Sequence, residues 1–374
     1  MSSEPRDEST RTAANKEQHT YSNGNTQRRL SRDDDEVAEL SDEESVGTID
    51  RPPSEHEKLP PAKVYGPYSI HVICLLIPGS ILGVLARLGL QALAKYDGQS
   101  IFPLAYPQAL GCFVMGLALG LKEPIGEFYG PIYTGITTGF CGSLTTFSSW
   151  QTDVFDSWTN AYDHQRGGFY DFMDGLCKTV FTLVLSLGSA TFGRHVATNV
   201  KRHVPTLAPP RMIPRYTIDV LCITMYAVTL APFFVLSTPI RHQATAALLF
   251  AFPGTLTRYL LSVFLNPLTP YFPLGTFMAN MAGTTLLGTF HVLQSVPGGS
   301  VSSTSCAILQ GLGDGFCGCL TTVSTFAVEV LGLRMRHAVR YVLLSWVAAQ
   351  LLLLLVLGPS YWHAGVHKTA TCTS

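Results

Sequence analysis

Two arginines stand inside stretches that are otherwise apolar. Arg87 follows Gly83-Val84-Leu85-Ala86, and Arg258 follows Gly254-Thr255-Leu256-Thr257. A guanidinium within a long apolar helix is costly unless it is paired, and such charges usually serve an ion path or a helix interface. We therefore expect Arg87 and Arg258 either to attract an anion at a vestibule or to join two parts of the protein.

A motif of glycine and hydroxyl residues occurs twice. Residues 139–150 and 315–326 share the pattern Gly-Phe-Cys-Gly-x-Leu-Thr-Thr-x-Ser. The small residues at 142–146 and 318–322 predict a broken helix, and in lipid a break persists only where protein covers it or where it lines a polar path. Its freed carbonyls could bind a cation. The alternative is a face that allows close helix packing, but the matching second copy favours the break.

Other polar side chains lie within apolar stretches. Asn280 can offer an amide N–H, and Ser186 and Ser345 offer hydroxyls unless they bond back to their own helices. Asp153 and Glu329 each lie three residues after the repeated motif. We expect these acids to organise arginine or hydroxyl partners, or to relay through a protonated form.

Several other chemistries lack support in the sequence. The hydroxyls of Thr146, Ser148 and Ser324 show no arrangement with a base, so we expect no enzyme. Cys317 and Cys319 have no histidine or second pair nearby, which disfavours a metal site. We expect eight cysteines to act as small hydrophobes rather than as a disulfide framework: Cys74, Cys112, Cys141, Cys177, Cys222, Cys306, Cys317 and Cys319. No basic patch indicates nucleic-acid binding.

Composition places these residues in a membrane protein. The 374 residues are 47% hydrophobic and 14% charged. Residues 1–65 hold nine of the 25 Lys and Arg and fifteen of the 26 Asp and Glu. The rest of the chain is therefore far below the roughly one quarter of charged residues that is usual for soluble domains. The tail itself has too few apolar residues to form a core, which predicts a disordered segment.

Nine apolar stretches are long enough to span a bilayer, which needs about twenty residues. They are residues 69–93, 101–121, 131–152, 173–193, 217–237, 243–265, 273–293, 304–328 and 338–358. Basic residues are retained on the cytoplasmic side, and they cluster after the fourth span (Arg194, Lys201, Arg202, Arg211, Arg215) and after the eighth (Arg334, Arg336, Arg340). This pattern predicts a cytosolic N-terminus and an extracellular C-terminus.

The first four spans recur in the last four. Gly83 and Arg87 match Gly254 and Arg258, and the glycine-threonine motif recurs in the same order. Because each repeat has four spans, the fifth span between them inverts the second repeat. Inverted repeats typically place ion sites near the bilayer midplane, which indicates transport.

These repeated motifs resemble those of the Fluc/CrcB fluoride channels, and the two-repeat layout is similar to that of the eukaryotic fluoride export proteins. The resemblance covers about residues 66–360 and includes Gly275, Thr276, Asn280 and Gly283 of the second repeat. Bacterial members are antiparallel dimers of four-span subunits, so this chain looks like a dimer fused into one polypeptide. The implied ligand is fluoride, and the implied setting is membrane lipid.

The resemblance also implies roles for individual residues. In this family the two breaks meet around a structural sodium ion, which implies that backbone oxygens of Gly142, Thr145, Gly318 and Thr321 bind it. Phe147 and Phe326 would form the aromatic box beside the anion path. The remaining pathway residues would be Asn280, Ser186, Ser345, Thr146, Thr322, Glu329, Arg87 and Arg258.

The two copies differ where the path would run. Gln108 stands opposite Asn280, Val323 opposite Phe147, and Trp150 opposite Phe326. We therefore expect a conducting pathway with Asn280, Phe147 and Phe326, and a degenerate second pathway with Gln108, Val323 and Trp150. Asp314 has no counterpart, because Thr138 occupies its place.

The predicted protein is an all-α integral membrane protein with nine transmembrane helices, in two inverted four-helix repeats with a broken third helix in each, joined by a linker helix. Its parts are a disordered cytosolic tail (1–65), a first repeat (66–200), a linker with the inverting helix (201–240), a second repeat (241–360) and an extracellular tail (361–374).

The predicted function is a fluoride-selective passive channel of the plasma membrane that acts as a single chain and confers fluoride resistance. The alternative is a proton-coupled secondary exporter of a small anion, with Asp314 or Glu329 as the titrating group. A small multidrug exporter is disfavoured, because the first span of each repeat carries arginine instead of an acid.

Overall fold

The computed structural model describes residues 65–98, 101–205, 208–235, 239–295 and 302–363. Most of the two predicted tails lies outside these ranges. Within the described ranges all regular secondary structure is helical, which confirms the predicted all-α class.

The part before the linker contains six α-helices. They are α1 (Ile70–Leu93), α2 (Ala105–Gly120), α3 (Lys122–Thr134), α4 (Gly142–Leu144), α5 (Phe147–Trp158) and α6 (Gly168–Val200). A π-helical segment, π1 (Gly135–Cys141), joins α3 to α4, and a 3₁₀ turn, Lys201–His203, ends α6.

The linker and the second part contain eight more. They are α7 (Met212–Val228), α8 (Leu230–Val235), α9 (Pro239–Leu265), α10 (Leu274–Gln294), α11 (Ser303–Gly311), α12 (Gly318–Leu320), α13 (Ser324–Gly332) and α14 (Met335–His363). A second π-helical segment, π2 (Leu312–Cys317), joins α11 to α12 in the way that π1 joins α3 to α4, and a 3₁₀ turn, Asn266–Leu268, follows α9.

Six helical stretches of the described chain are long and apolar enough to cross a membrane. They are Ile70–Leu93, Gly168–His203, Met212–Val235, Ala244–Leu268, Thr304–Gly332 and Met335–Trp362. A seventh is obtained if Ala105–Gly120 and Lys122–Trp158, which are bent by 106° at their junction, are counted as one span. The chain is therefore a multi-pass membrane protein.

Both predicted helix breaks are present. The chain is extended at Thr145 (φ −96°, ψ 148°) and Thr146 (φ −143°, ψ 124°), and again at Thr321 (φ −91°, ψ 154°). A π-helical segment precedes each break. π-Helical turns are rare and often mark functional sites, so the same unusual local structure has formed at both copies of the motif.

Helices of the first and the second part pack against each other. In the first part α1 packs on π1 and α2 packs on α6, while in the second α9 packs on π2 and α10 packs on α14. The segments after the breaks cross over: α5 packs on α10 and α14, and α13 packs on α2 and α6. Each break is thus enclosed by helices of both parts.

Glycines allow the closest of these contacts. A Cβ at Gly83 of α1 would collide with the carbonyl of Phe140 in π1, and a Cβ at Gly254 of α9 would collide with that of Phe316 in π2. The two glycines that the sequence paired by motif therefore serve the same backbone approach.

The linker helix α7 is attached to the first part by a buried polar pair. Asp219 of α7 is 4% exposed, and its Oδ2 lies 2.6 Å from Nδ1 of His71 in α1. A buried acid in an apolar helix needs such a partner. The sequence had indicated a plain apolar helix, because His71 is distant in the chain.

One expectation about cysteines is wrong. Cys306, at the start of α11, is disulfide-bonded, whereas Cys74, Cys112, Cys141, Cys177, Cys222, Cys317 and Cys319 are free thiols. Cys306 stands in the first turn of its helix. The prediction had relied on the apolar residues that follow it in the sequence.

Candidate functional site

The two breaks meet and bond to each other through threonine. Thr145 Oγ1 donates to the Cys141 carbonyl (3.0 Å) and accepts from the Ser324 backbone N–H (3.0 Å). Thr321 Oγ1 does the same in reverse, donating to the Cys317 carbonyl (3.0 Å) and accepting from the Ser148 N–H (3.2 Å). Each half therefore caps the first turn of the other half's helix.

Thr146 and Thr322, both predicted pathway residues, lie in the same hydroxyl cluster. Thr146 Oγ1 is 3.1 Å from Thr321 Oγ1, and Thr322 Oγ1 is 3.2 Å from Thr145 Oγ1. Thr146, Thr322 and both their partners are at most 1% exposed. These hydroxyls are therefore occupied in holding the breaks together.

Arg87 joins the two halves. It is 2% exposed, and its Nη1 donates to the carbonyls of Ser143 (2.9 Å) and Gly318 (2.8 Å). Its Nη2 donates to the carbonyl of Asp314. One guanidinium thus binds backbone oxygens on both sides of the crossing.

Arg258 makes the matching contacts from the second half. It is fully buried, and it donates from Nε to the Cys319 carbonyl (2.9 Å) and from Nη2 to the Thr138 carbonyl (2.7 Å). Of the two roles considered for Arg87 and Arg258, these contacts support the interface role, because both groups are enclosed by backbone.

The glycines of the motif make room for these arginines. A Cβ at Gly142 would collide with the Arg258 guanidinium, and a Cβ at Gly318 would collide with that of Arg87. This gives Gly142 and Gly318 a structural role that is independent of any bound ion.

The crossing offers backbone and hydroxyl oxygens, rather than carboxylate, imidazole or thiolate groups, as cation ligands among the described residues. No group of three or more His, Cys, Asp and Glu side chains there is placed to hold a metal. The carbonyls of Thr145 and Thr321 lie in the extended breaks and accept no hydrogen bond from a described residue, so they fit a small cation. The Gly318 carbonyl already accepts from Arg87, so it would be shared.

Phe147 and Phe326, the residues expected to form an aromatic box, are in contact. Their ring centroids are 5.6 Å apart at 60°, and both side chains are at most 1% exposed. Trp150 packs edge-on against Phe147 at 5.4 Å, and Val323 belongs to the same buried cluster. The structure therefore brings residues of both predicted pathways together.

Asn280 and Gln108 hold equivalent positions with unequal bonding. The Asn280 side chain accepts from the Thr322 N–H (2.9 Å) and donates to the Thr322 carbonyl (3.3 Å). Gln108 donates to the Thr146 carbonyl (2.8 Å), but its Oε1 is buried without a partner among the described residues. Both polar atoms of the Asn280 amide group are thus hydrogen-bonded, whereas among the described residues only the nitrogen of the Gln108 amide group is.

Glu329 is buried among side-chain donors from other parts of the second half. Its Oε1 accepts from Thr276 Oγ1 (2.6 Å), and its Oε2 accepts from the Tyr341 hydroxyl (2.8 Å). Asn266 Nδ2 lies 3.5 Å from Oε1, and the Tyr341 ring is 4.9 Å from that of Phe326. The Gly275-Thr276 pair was a signal for Thr276, but no pattern indicated Tyr341 or Asn266.

Asp153, the counterpart of Glu329, has a different setting. It lines a cavity of about 520 Å³ together with Lys95, His291 and Asp314. The side chain of Asp314, which the repeat comparison left without a role, therefore faces a polar cavity while its backbone binds Arg87.

Ser186 and Ser345 are buried in α6 and α14, each at 1% exposure. Neither hydroxyl has a nitrogen or oxygen partner in the described part of the chain, and Ser186 lies against the Cys112 thiol. They do not bond back to their own helices, which was the alternative considered for them.

Comparison with known families agrees with this arrangement of two similar halves. The sequence model described as "CrcB-like protein, Camphor Resistance (CrcB)" matches residues 74–194 and again residues 245–358. The chain belongs to the CrcB-like family. Its two matched segments coincide with the two helical parts that cross at the breaks.

The chain is similar to several proteins whose names refer to fluoride. The chain is similar to Fluoride export protein 1 of Neurospora crassa, with 35% identity over 79% of this chain and 68% of the relative, and to Fluoride export protein 1 of Candida albicans, with 35% identity over 79% and 81%. It also matches Fluoride-specific ion channel FluC 2 of Rhodococcus jostii, with 45% identity over 23% of this chain and 67% of the relative. No solved structure matches it.

Proposed function

We propose that this protein is a fluoride-selective passive channel that exports fluoride from the cytosol and so confers fluoride resistance. The names of its CrcB-like relatives describe fluoride export and a fluoride-specific ion channel. The observation that carries the proposal is the crossing, where Phe147 of one half meets Phe326 of the other beside the Asn280–Thr322 contact.

This setting suits a small, strongly hydrated anion. A conduit must replace lost hydration with donors and positive potential without trapping the ion. Aromatic ring edges carry partial positive charge, and the hydroxyls of Ser186 and Ser345 have no nitrogen or oxygen partner among the described residues that would compete. A negative cell interior then drives the anion outward through a passive path.

We further propose nine spans in two inverted repeats. Six helices of the described chain are apolar enough to cross the membrane, and α2, α10 and the broken segment α3–α5 would be three further crossings, which gives nine. These spans lie in the predicted domains 66–200, 201–240 and 241–360. The reciprocal bonds of Thr145 with Ser324 and of Thr321 with Ser148 support two halves related by a pseudo-two-fold axis. The buried face of α10 carries Gly275, Thr276, Asn280 and Gly283.

The proposed location is the plasma membrane, with the N-terminus in the cytosol and the C-terminus outside. The exposed basic residues at the end of α6 and at the start of α14 support this orientation. We also propose that one chain suffices for function, because each half supplies the partner that the other needs at the crossing.

One of the two pathways is proposed to conduct. Its residues are Asn280, Phe147 and Phe326, while the second pathway, with Gln108, Val323 and Trp150, is weak or closed. Trp150 is 2% exposed and donates its indole N–H to the Lys178 carbonyl (3.2 Å), which fixes a large ring in that pathway.

A structural sodium ion is proposed at the crossing, bound by backbone oxygens of Gly142, Thr145, Gly318 and Thr321. When bound, it would supply a positive charge that neutralises converging carbonyl dipoles. The free carbonyls of Thr145 and Thr321 support this site.

The test is fluoride efflux from liposomes that contain the purified protein and potassium fluoride. After valinomycin is added, an ion electrode should record rapid fluoride release, with no chloride release from matched liposomes. Release only under an imposed proton gradient would replace the channel by a coupled exporter and direct attention to Glu329, whose carboxylate is buried among hydroxyls. No fluoride release under either condition would refute the proposal.

A further inference from the structure

Two buried glutamines meet where α5 packs against α14. Gln151 is fully buried in α5, and Gln350 in α14 is 9% exposed. Nε2 of Gln350 lies 3.0 Å from the backbone oxygen of Gln151 and 2.9 Å from its Oε1. Neither side chain belongs to the repeated motif.

This contact fixes which way both amides point. A backbone carbonyl can only accept, so the Gln350 atom that faces it must be the amide nitrogen. The Gln151 atom that faces the same nitrogen must then be its oxygen. The NH₂ group of Gln151 therefore points elsewhere, and it is buried without a hydrogen-bond partner among the described residues.

A second donor without a partner lies on the same interface. Trp346 precedes Gln350 by four residues, so the two share a face of α14 with Cβ atoms roughly 6 Å apart. Its ring meets that of Trp158 at 5.4 Å, and Trp158 lies two turns after Gln151 on α5. The indole Nε1 of Trp346 is also buried and unpartnered within the described chain.

Both groups can only donate, which selects the ligand. An indole N–H and an amide NH₂ offer no acceptor, and buried donors left without acceptors are costly. A small anion is an acceptor of the kind that both donors need, and hydrogen bonds to charged acceptors are the strong ones. Gln151 also lies four residues after Phe147 on α5, so the two share a face, one turn apart.

We propose that Gln151 and Trp346 bind fluoride in transit, at a station one helical turn beyond Phe147. The proposal rests on the proposed fluoride transport and adds a subsite to it. The subsite exists in one half only, because the positions equivalent to Gln151 and Trp346 are Ala327 and Leu187. It therefore belongs to a single pathway.

The test compares Gln151→Ala and Trp346→Phe with the parent in full-length, reconstituted protein. Each removes a donor, and Trp346→Phe keeps most of the ring. Fluoride efflux should fall about tenfold in each, the loss expected for one hydrogen bond to an ion. Trp158→Phe is the matched control, since its indole N–H already donates to the Phe172 carbonyl (3.3 Å), and its efflux should stay within twofold of the parent.

A binding measurement checks the same station without transport. Adding sodium fluoride in place of sodium chloride should change the tryptophan emission of the detergent-solubilised parent and of Trp158→Phe equally, and change that of Trp346→Phe clearly less. If Gln151→Ala and Trp346→Phe both release fluoride as fast as the parent, then water and not fluoride binds to these donors. That result would overturn the inference. A parent without fluoride efflux would instead refute the proposed function.

Discussion

At the scale of single residues, equivalent positions in the two halves carry unequal bonding. Asn280 is held by two hydrogen bonds to Thr322, whereas Gln108 makes one to Thr146 and leaves an oxygen unpaired. Glu329 is enclosed by donors, whereas Asp153 faces a cavity. Equivalent residues of the two halves therefore stand in different surroundings.

The first prediction compares Asn280→Ala with Gln108→Ala. Losing Asn280 frees both the N–H and the carbonyl of Thr322 beside Phe147 and Phe326, so fluoride efflux should fall by about tenfold or more. Losing Gln108 should reduce it less than about twofold, because its pathway contributes little. The assay is valinomycin-triggered efflux at equal protein density, and equal losses in the two variants would contradict a single conducting pathway.

The second prediction concerns Tyr341. Its hydroxyl donates to the buried Glu329 carboxylate, and a hydrogen bond to a charged group contributes about 1.5–3 kcal/mol. Tyr341→Phe should therefore lower the midpoint of thermal unfolding in detergent, measured with a thiol-independent fluorescence assay. Tyr170→Phe removes a hydroxyl from a ring that is 65% exposed and should leave the midpoint unchanged; a drop of the same size there would show that the Glu329 contact is not the cause.

At the scale of elements, the sequence predicted the breaks because glycine and threonine interrupt apolar stretches in two copies. It also predicted the pairing of Gly83 with Gly254, and of Arg87 with Arg258. It could not predict that each arginine binds carbonyls of both halves, since a side chain's partners in another helix leave no periodic signal. Tyr341, Gln350 and His71 were missed for the same reason.

The third prediction tests the fit of glycine against arginine. Gly318→Ala places a methyl group against the Arg87 guanidinium, and overpacking a buried contact costs about 1–3 kcal/mol. The variant should unfold at lower temperature and lose most fluoride efflux.

Gly188→Ala is the control for that variant. A Cβ at Gly188 of α6 meets no atom within 4 Å, and alanine is favoured over glycine in a helix by roughly 0.5–1 kcal/mol. Its thermal midpoint should be equal or higher. A Gly318→Ala protein as stable as Gly188→Ala would mean that the arginine contact tolerates the methyl group.

At the scale of the whole molecule, the two halves form one interlocked unit. Threonine caps, arginine contacts and the packing of α5 and α13 all pass from one half to the other. The sequence repeat predicted two similar parts, and the family match confirms both. The arginine hydrogen bonds between the halves join residues that are 120 to 231 positions apart in the chain, so the sequence alone could not predict how closely the halves are joined.

The fourth prediction concerns the proposed sodium ion, which would bind where the halves cross. A ligand that binds only the folded state raises stability with its concentration. Exchanging sodium for N-methylglucamine should lower the thermal midpoint of the purified protein, and adding sodium back should restore it in a saturable manner. A midpoint that is independent of sodium concentration, at constant ionic strength, would refute the site.

The crossing also explains which positions of the duplicated sequence have kept the same residue. The arginines, the glycines beside them and the paired threonines of each copy contact the other copy, so a substitution at one of them disturbs both halves. The two copies carry the same residues at these positions. The residues at three other pairs of equivalent positions differ: Phe147 and Val323, Trp150 and Phe326, and Gln108 and Asn280. The identical positions of the two copies thus include the residues that join the halves at the crossing, whereas these three pairs of positions, which are proposed for the two pathways, differ between the copies.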